Sequence, residues 1–371
     1  MFLLVQNDMN INTHDISEAE ETIRLASNDL ISFGKLFLPE DFMRSETPPF
    51  HYEISDVIDD KEIKQSAIIV PRGHGKTILT KASILKDFLF CPSDDFYFYA
   101  WVSATQKLSV GNMDYIKHHL DYNDRIRYYF GDTRGGKWTE EDIELKNGCK
   151  LISKSNVAGI RGGAKLHKRY DLIVLDDFEH EANTITRDAR DKNANLVTAV
   201  VYPALEPHTG RLRVNGTPVH YDSFINNLLT QHAKAKKDGN DFAWDVITYK
   251  ALQPDGAPLW ASFFPASKLE EKKKFYMDSG QPHKFFQEYM MEVMREEDAA
   301  WTRNHLKYYD GYYKYEDGVN YIVKDGNLAP VNIFIGCDPA TDIDTKHSDF
   351  SVIMAIAVDI NNELYVLEYE R

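Results

Sequence analysis

The stretch VPRGHGKT, at positions 70–77, ends like a phosphate-binding loop but begins differently. The usual spacing of such a loop is G-x-x-x-x-G-K-[ST], and the final Gly-Lys-Thr of this stretch fills the last three places. Val70 stands where the first glycine is expected, and Arg72 lies inside the loop. The stretch is therefore either a nucleotide site with an additional positive charge or a strand, a turn and a helix with a surface lysine.

The sequence on both sides of the loop has the pattern that a phosphate site requires. SAIIV, at 66–70, is typical of a buried parallel strand, and TILTKASILKDFLF, at 77–90, predicts a helix that stops before Pro92. In this arrangement the loop N–H groups and the helix dipole both attract phosphate.

The loop itself supplies the predicted nucleotide contacts. We expect Lys76 to reach the β- and γ-phosphates and Thr77 to hold Mg²⁺. Arg72 is expected to stabilise charge on the γ-phosphate, as an arginine finger supplied in cis does. The predicted nucleotide-binding residues of this segment are Pro71, Arg72, Gly73, His74, Gly75, Lys76, Thr77 and Ile78.

A second motif, YDLIVLDD at 170–177, places carboxylates after an apolar run. At the carboxyl end of a buried parallel strand they would lie beside the phosphate loop, where open α/β sheets bind ligands. Asp176 is the predicted Mg²⁺ ligand, and Asp177 is expected to position or activate the attacking water. Glu179 is an alternative catalytic carboxylate, and a solvated acidic loop would account for the same residues without a function.

Two further loops carry candidate functional residues. VNGTPVHYDS, at 214–223, closes a strand with small polar residues; it resembles a motif that links the γ-phosphate to movement, but a simple Gly-Thr-Pro turn would look similar. SNVAGIRGGAKLHKRYD, at 155–171, would hold DNA phosphates, insert an arginine into a neighbouring subunit's ATP site, or be merely solvated. Its basic residues are Arg161, Lys165, Lys168 and Arg169.

The bulk composition is that of an ordinary globular chain of 371 residues, with 43% hydrophobic and 27% charged residues. The net charge of −15 argues against a protein that coats nucleic acid with its whole surface, but it permits a local basic channel. The three cysteines are far apart in sequence, which fits a reducing cytoplasm rather than a disulfide framework. No apolar run is long enough for a membrane span, and the start lacks the basic flank of a signal peptide.

Strands that alternate with helices between positions 60 and 220 predict an α/β fold with a parallel sheet. The strand segments are SAIIV, FYFYAWVS, GCKLISKS, YDLIVLDD and GRLRVNGTP. Residues 307–330, rich in Tyr, Asp and Gly, predict hairpins or a linker. VNIFIGCDPA, at 331–340, and the two strands predicted in 350–371 begin a second strand system. Three strands without a covering helix are too few for a domain, so we expect this second domain to be incomplete.

These pieces, in this order, resemble the large terminase subunit of tailed bacteriophages, the ATP-driven motor that packages DNA into a prohead. The resemblance covers most of the chain. Loops of this family often lack the first glycine and carry an arginine, as Arg72 does here. The matching segments are VPRGHGKT, WVSAT, SNVAGIRGG, LIVLDDFE, NGTPVHYD, FFQEYMMEV and IGCDPA.

The resemblance implies a role for several residues. Lys76 and Thr77 would carry the phosphates and the metal, and Asp176 and Asp177 match the Walker B acids. Many family members have Asp-Glu at the Walker B position, so the catalytic carboxylate stays open between Asp177 and Glu179.

Three further positions match family motifs by the same resemblance. The coupling motif corresponds to residues 215–218, beginning with Asn215. Arg161 matches an arginine that in some members reaches the neighbour's ATP. Phe50 and His51, in PPFHYE, lie near the place of the family's adenine motif.

The second domain of the family is a ribonuclease H-like nuclease that holds Mg²⁺ or Mn²⁺ with clustered acids. FIGCDPA matches its first strand, with Asp338 as a metal ligand, although an ordinary strand-end turn is the simpler interpretation of that residue alone. Asp342, Asp344 and Asp349 are nearby, but the sequence does not show that they complete the site. We therefore expect this chain alone not to cut DNA.

The resemblance implies a domain plan. It has a P-loop ATPase domain at 1–305, with its core at about 60–220 and a small helical lid formed by the N-terminal helices and 221–300. A linker at 306–330 and an incomplete nuclease domain at 331–371 follow.

The implied partners are double-stranded DNA, the portal protein, the small terminase subunit and further copies of the chain in a ring, in the host cytoplasm. A DNA helicase with the same core is one alternative. A scaffold protein that binds nucleotide without hydrolysing it is another.

Overall fold

A computed structural model describes residues 13–155, 157–293, 307–324, 326–338 and 351–370. The chain divides into two compact units, Met1–Ala299 and Ala300–Arg371. No helix in the described ranges is both long enough and apolar enough to cross a bilayer.

The first unit contains eleven helices and eight strands within its described residues. The helices are α1 (Thr13–Asn28), α2 (Leu30–Phe37), α3 (Pro39–Phe42), α4 (Pro49–Asp59), α5 (Lys76–Leu89), α6 (Gln106–Tyr122), α7 (Asp124–Phe130), α8 (Arg187–Leu196), α9 (Phe224–Asp238), α10 (Ala266–Asp278) and α11 (Pro282–Met290). The strands are β1 (Gln65–Ile69), β2 (Phe98–Ser103), β3 (Arg134–Trp138), β4 (Asp142–Leu145), β5 (Lys150–Lys154), β6 (Leu172–Asp176), β7 (Arg211–Gly216) and β8 (Asp245–Thr248).

All eight strands join one sheet in the order β3-β4-β5-β2-β6-β7-β1-β8. The run from β5 to β8 is parallel, and β3 and β4 form an antiparallel edge. The five strands expected from the sequence are present as β1, β2, β5, β6 and β7, which confirms the predicted α/β fold. The order places β7 between the strand that precedes the phosphate loop and the strand that ends in Asp176.

Alternate residues of the central strands point into two hydrophobic layers. On β1, Ile68 packs with α2, α4, α5 and α6, whereas Ala67 and Ile69 pack on the opposite side with residues such as Val197 and Ile225. Both faces of the sheet are therefore covered, and the carboxyl ends of the parallel strands are free to carry a site.

The N-terminal helices belong to the first of these layers. Phe33 and Phe37 of α2 and Ile54 of α4 are fully or almost fully buried in it. A separate small cluster joins Leu269 of α10 to Phe285 of α11, together with Ala251 and Tyr289. Of the segments predicted to form the lid, α10 and α11 thus make their own small core, and α2 and α4 are part of the main one.

The second unit is a five-stranded antiparallel sheet in the order β13-β12-β11-β10-β9. The segment at 307–330, predicted to form hairpins or a linker, contains the first two strands of this sheet. The strand expected at 331–340 begins at Asn327. Asp342, Asp344 and Asp349 lie outside the described residues. The strands are β9 (Gly311–Glu316), β10 (Val319–Lys324), β11 (Asn327–Asp338), β12 (Val352–Asp359) and β13 (Leu364–Glu370).

A buried cluster of charges ties α5 to the strands of the first unit. Asp87 pairs with Lys61, accepts a hydrogen bond of 2.6 Å from the Tyr99 hydroxyl and lies 3.6 Å from the guanidinium of Arg211. Burial opposes the charge on Asp87, but the positive charges of Lys61 and Arg211 and the hydrogen bonds outweigh it and lower the pKa of Asp87. The Asp87 carboxylate is therefore the shared partner of Lys61, Tyr99 and Arg211 in this cluster.

Replacing Asp87 with asparagine is expected to destabilise the fold by about 3 kcal/mol, because it leaves the buried Arg211 without its counter-charge. Urea unfolding monitored by circular dichroism measures this change. Asp132→Asn is the matched control, since Asp132 pairs with Lys146 on the surface and should leave the unfolding midpoint unchanged. Equal midpoints for the two variants would contradict the assignment.

Candidate functional site

The phosphate loop connects β1 to α5 and requires glycine at two positions. Gly73 and Gly75 have φ angles of 78° and 90°, in the region that favours glycine. A Cβ on Gly75 would also lie 2.7 Å from Nε2 of His51. The loop is closed by a hydrogen bond of 3.1 Å from the His74 N–H to the Pro71 carbonyl.

Helix α5 begins directly after the loop, so its N-terminus faces the same place. Lys76, its first residue, is 6% exposed. The Thr80 hydroxyl donates to the Lys76 carbonyl at 3.0 Å and fixes this first turn. A lysine, a helix N-terminus and a glycine loop converge here, which is the arrangement that binds phosphate.

Asp176 lies at the carboxyl end of β6 and contacts both neighbouring elements. The Thr77 hydroxyl donates to Oδ1 of Asp176 at 3.1 Å, and Nδ2 of Asn215 donates to the same oxygen at 3.1 Å. Nδ2 of Asn215 also lies 3.0 Å from the Thr80 hydroxyl, to which it donates. Because Asn215 is the β7 residue paired with Asp176, the strand order itself creates this contact.

Burial and the nearby charge of Asp177 raise the pKa of Asp176 to about 6, although Lys76 and the hydrogen bonds from Asn215 and Thr77 oppose the shift. A cation beside this pair would favour the charged form. The Thr77 hydroxyl and the Asp176 carboxylate are oxygen donors of the kind that Mg²⁺ prefers, so the residues fit that ion. No group of three or more His, Cys, Asp or Glu side chains suited to a metal occurs among the described residues.

The two candidate catalytic carboxylates differ in their surroundings. Asp177 is exposed, has a φ of 46°, and its N–H donates to the Asn215 carbonyl at 3.0 Å. Glu179 is 4% exposed, and its oxygens accept from the N–H groups of Phe224 and Ile225 at 2.9 and 3.0 Å. Burial raises the pKa of Glu179, against the effect of these hydrogen bonds. Glu179 thus holds the start of α9, whereas the carboxylate of Asp177 is open to solvent.

Arg72 lies at the outer side of the loop against α11. Its N–H donates to the Glu288 carbonyl at 3.0 Å, and its guanidinium lies 3.5 Å from the Glu288 carboxylate. The Arg72 side chain is 69% exposed. Helix α11 therefore holds both the backbone and the side chain of this arginine.

Most of the basic loop at 157–171 is used within the fold. Lys165 pairs with Glu144 at 3.0 Å, Lys168 pairs with Asp171 at 3.1 Å, and Arg169 donates to the Pro203 carbonyl at 2.6 Å. Three of the four basic residues of this loop therefore have partners within the fold, and Arg161 is exposed. The partners of Lys165 and Arg169 lie in distant segments, whereas Asp171 follows Lys168 by only three residues.

A cavity of about 220 Å³ adjoins the loop and extends from Lys76 and Thr77 to an aromatic wall. His51 lines this cavity, and the ring centroid of the buried Phe50 lies 4.4 Å from that of His51. The lining also includes residues that were not predicted, among them Asp41, Arg44, Ser45, Thr47, Trp260 and Phe263. The first four precede PPFHYE closely in sequence and could have been found from that proximity, whereas the two aromatic residues belong to no motif.

The aromatic wall also encloses two histidines. His51 Nε2 lies 2.9 Å from the His74 carbonyl, and the His74 ring stacks on Phe264 at 4.8 Å between centroids. Burial lowers the pKa of both His51 and His74 to about 4. Both rings are therefore neutral at pH 7, and the positive charge of the loop comes from Lys76 and Arg72.

No protein-family model matches the chain, and no curated protein sequence is significantly similar to it. Among solved structures, the bacteriophage HK97 large terminase aligns with a TM-score of 0.49 and 12% identity, over 95% of this chain and 67% of that one. The ATPase domain of the Thermus phage P74-26 large terminase aligns at 0.45 and 13%, over 67% and 94%. The large terminase of another thermophilic bacteriophage, in complex with ADP, aligns at 0.42 and 10%, over 88% and 68%. All three are large terminases, the family that the sequence motifs resemble.

The stability of the chain should fall as the pH is lowered from 7 to 5. An unfolded histidine binds a proton near pH 6.5, but folded His51 and His74 resist it down to about pH 4. The two neutral rings therefore make their full contribution to the free energy of unfolding above pH 6.5. That contribution decreases toward pH 4, and at pH 5 it is smaller by about 2 kcal/mol for each ring.

Urea unfolding at both pH values measures this decrease. His74→Gln should make the dependence shallower. His208→Gln should not, because His208 is exposed in the folded chain. An unchanged dependence in His74→Gln would contradict the assignment.

Proposed function

We propose that this chain is an ATP-hydrolysing motor of viral DNA packaging that translocates double-stranded DNA into a prohead. The single observation that carries the ATPase part is the convergence of Lys76, Thr77, Asp176 and Asn215 at the carboxyl edge of one sheet. Hydrogen bonds of about 3 Å join three of these side chains, with Asp177 next to them. The packaging part rests on the resemblance of the ordered motifs to large terminases.

In this proposal the γ-phosphate of ATP is transferred to water. Lys76 and the loop N–H groups bind the β- and γ-phosphates, and Thr77 and Asp176 hold Mg²⁺, which neutralises developing charge on the phosphates when bound. The Asp177 carboxylate orients the attacking water and accepts its proton as the bond to the bridging oxygen breaks and ADP leaves. Arg72, at the edge of the loop, adds positive charge near the γ-phosphate.

The cavity beside the loop suits the nucleoside part of the substrate. Trp260 and Phe263 stack at 4.6 Å, and the guanidinium of Arg44 lies 5.7 Å from the Phe263 ring centre. Flat aromatic surface next to polar groups is the usual lining of a base pocket. We assign the nucleotide's base to the part of the cavity lined by Trp260 and Phe263. Thr47 and Asp41, which also line the cavity, are the proposed hydrogen-bonding groups for it.

The remaining parts of the proposal concern assembly and cleavage. Arg161 is proposed to act on the ATP of a neighbouring subunit in a ring, and the portal protein and small terminase subunit are the proposed partners. Asp338 lies exposed at the end of β11. Incubation of plasmid with the chain and Mg²⁺ or Mn²⁺ tests the expectation that this chain alone does not cut DNA.

Turnover of ATP should depend on the residues of this site. Lys76→Ala is expected to abolish measurable hydrolysis, and Asp177→Asn to lower kcat by at least about 100-fold while nucleotide still binds. Phosphate release and binding of a fluorescent ATP analogue measure the two effects.

Lys146→Ala is the matched control because Lys146 is exposed and pairs with Asp132 on the surface. Binding of nucleotide without hydrolysis by the unaltered chain would favour the scaffold alternative. Hydrolysis that survives both substitutions would contradict the site assignment.

The trans role of Arg161 predicts complementation between inactive subunits. Arg161→Ala should lower turnover at least about 10-fold in the assembled ring, because charge on the transferring phosphate is no longer neutralised. Mixing it with Lys76→Ala subunits should restore turnover, since those subunits still supply an intact arginine.

The double variant Arg161→Ala/Lys76→Ala is the control and should restore nothing. A ring confirmed by light scattering that shows no gain with the Lys76→Ala partner would count against the trans role. DNA-stimulated turnover without portal binding would favour the helicase alternative.

A further inference from the structure

The Glu179 carboxylate is bound by the first turn of α9. Oε1 accepts the Phe224 N–H at 2.9 Å and Oε2 accepts the Ile225 N–H at 3.0 Å. Burial raises the pKa of Glu179, and the backbone N–H groups of Ile225 and Phe224 and the side chains of Ser223 and Asn193 oppose this shift. With 4% of the residue exposed, this carboxylate has little access to a water that would attack a bound nucleotide.

The helix turn that Glu179 holds adjoins Asp177. A Cβ built on Gly216 would lie 2.6 Å from Cδ1 of Ile225 and 3.8 Å from Oδ1 of Asp177. Ile225 therefore contacts Glu179 through its N–H, and its side chain lies over the same glycine that the Asp177 carboxylate approaches. A side chain at Gly216 would therefore clash with Ile225, whereas its distance from the Asp177 carboxylate would be an ordinary contact.

The backbone of Asp177 needs such support. Its φ of 46° is in the left-handed region, which costs a non-glycine residue on the order of 1 kcal/mol. The Asp177 N–H bond to the Asn215 carbonyl holds it on the N-terminal side. On the C-terminal side, Phe178 is buried in the core and packs on Phe224, and Glu179 is bound by the first turn of α9.

We propose that Glu179 is a positioning residue that fixes Asp177 through the first turn of α9, and that it is not the base itself. The proposal rests on the proposed ATPase function and deepens it. The Asn215 carbonyl binds the Asp177 N–H, and α9 binds Glu179, two residues after Asp177. Together these contacts keep Asp177 in one conformation at the strand end. Movement of α9 would then change the position of Asp177 without any change in the phosphate loop.

The kinetic test is Glu179→Gln, which keeps the size of the side chain but has one acceptor oxygen instead of two. The expected result is a kcat about 10-fold lower with the KM for ATP within about twofold, because the phosphate-binding groups are unaltered. In an Asp177→Asn background the same substitution should cause no further loss. Ile225→Ala, which retains the N–H but removes the contact over Gly216, should also lower kcat and leave KM unchanged.

A second readout does not depend on hydrolysis. Hydrogen exchange of the Phe224 and Ile225 amides should be at least about 10-fold faster in Glu179→Gln, while the unfolding midpoint changes little. Asp177→Asn is the control and should leave the exchange of both amides as it is in the unaltered chain.

Three outcomes would overturn the proposal. They are loss of turnover in Glu179→Gln as complete as in Asp177→Asn, losses that multiply in the double variant, and unchanged amide exchange. Failure of the proposed function can be distinguished from failure of this inference. If the proposed function is wrong, the unaltered chain lacks ATP turnover altogether. The amide exchange of Phe224 and Ile225 still tests the contact between Glu179 and α9.

Discussion

The hydrogen bond from Asn215 to Asp176 is the contact on which the geometry of the site depends. It joins neighbouring strands at the edge where the phosphate loop and the acids meet, and Asn215 also reaches Thr80 in α5. This buried amide, together with the direct hydrogen bond from Thr77 to Asp176, joins the helix that follows the loop to the strand that carries the acid. Because interior hydrogen bonds left unmade are costly, the three elements are expected to keep or lose this arrangement together.

The same region shows how an acidic chain can offer an anion site. The net charge is −15, yet Lys76 and the N-terminus of α5 face the loop, and Arg72 lies at the outer side of the loop. Two cations of the basic loop at 157–171, Lys165 and Lys168, are paired with carboxylates. The site is therefore set by local geometry, and the total charge says little about its ligand.

Much of the sheet could be predicted from the sequence because its central strands are uniform apolar runs. SAIIV and LIVLDD each bury every residue or nearly every residue, and such runs indicate strands irrespective of tertiary context. Strands β3, β4 and β8 were missed because they are short edge elements: β3 contains two glycines, and β8 is half-exposed. Their pairing is decided by neighbours that the local sequence does not reveal. Helix α2 begins where the Asp29 side chain accepts a hydrogen bond from the Ser32 N–H at 2.7 Å.

The candidate site was predictable where residues are close in sequence and not where the fold brings distant segments together. The loop and the two aspartates follow a known spacing, so their convergence required only the strand order. The aromatic wall at Trp260 and Phe263 belongs to a segment without a motif. The choice between Asp177 and Glu179 likewise depends on where α9 begins, because its first N–H groups bind Glu179. A pair of acids two residues apart thus acquires two different environments from a helix that lies more than forty positions further along the chain.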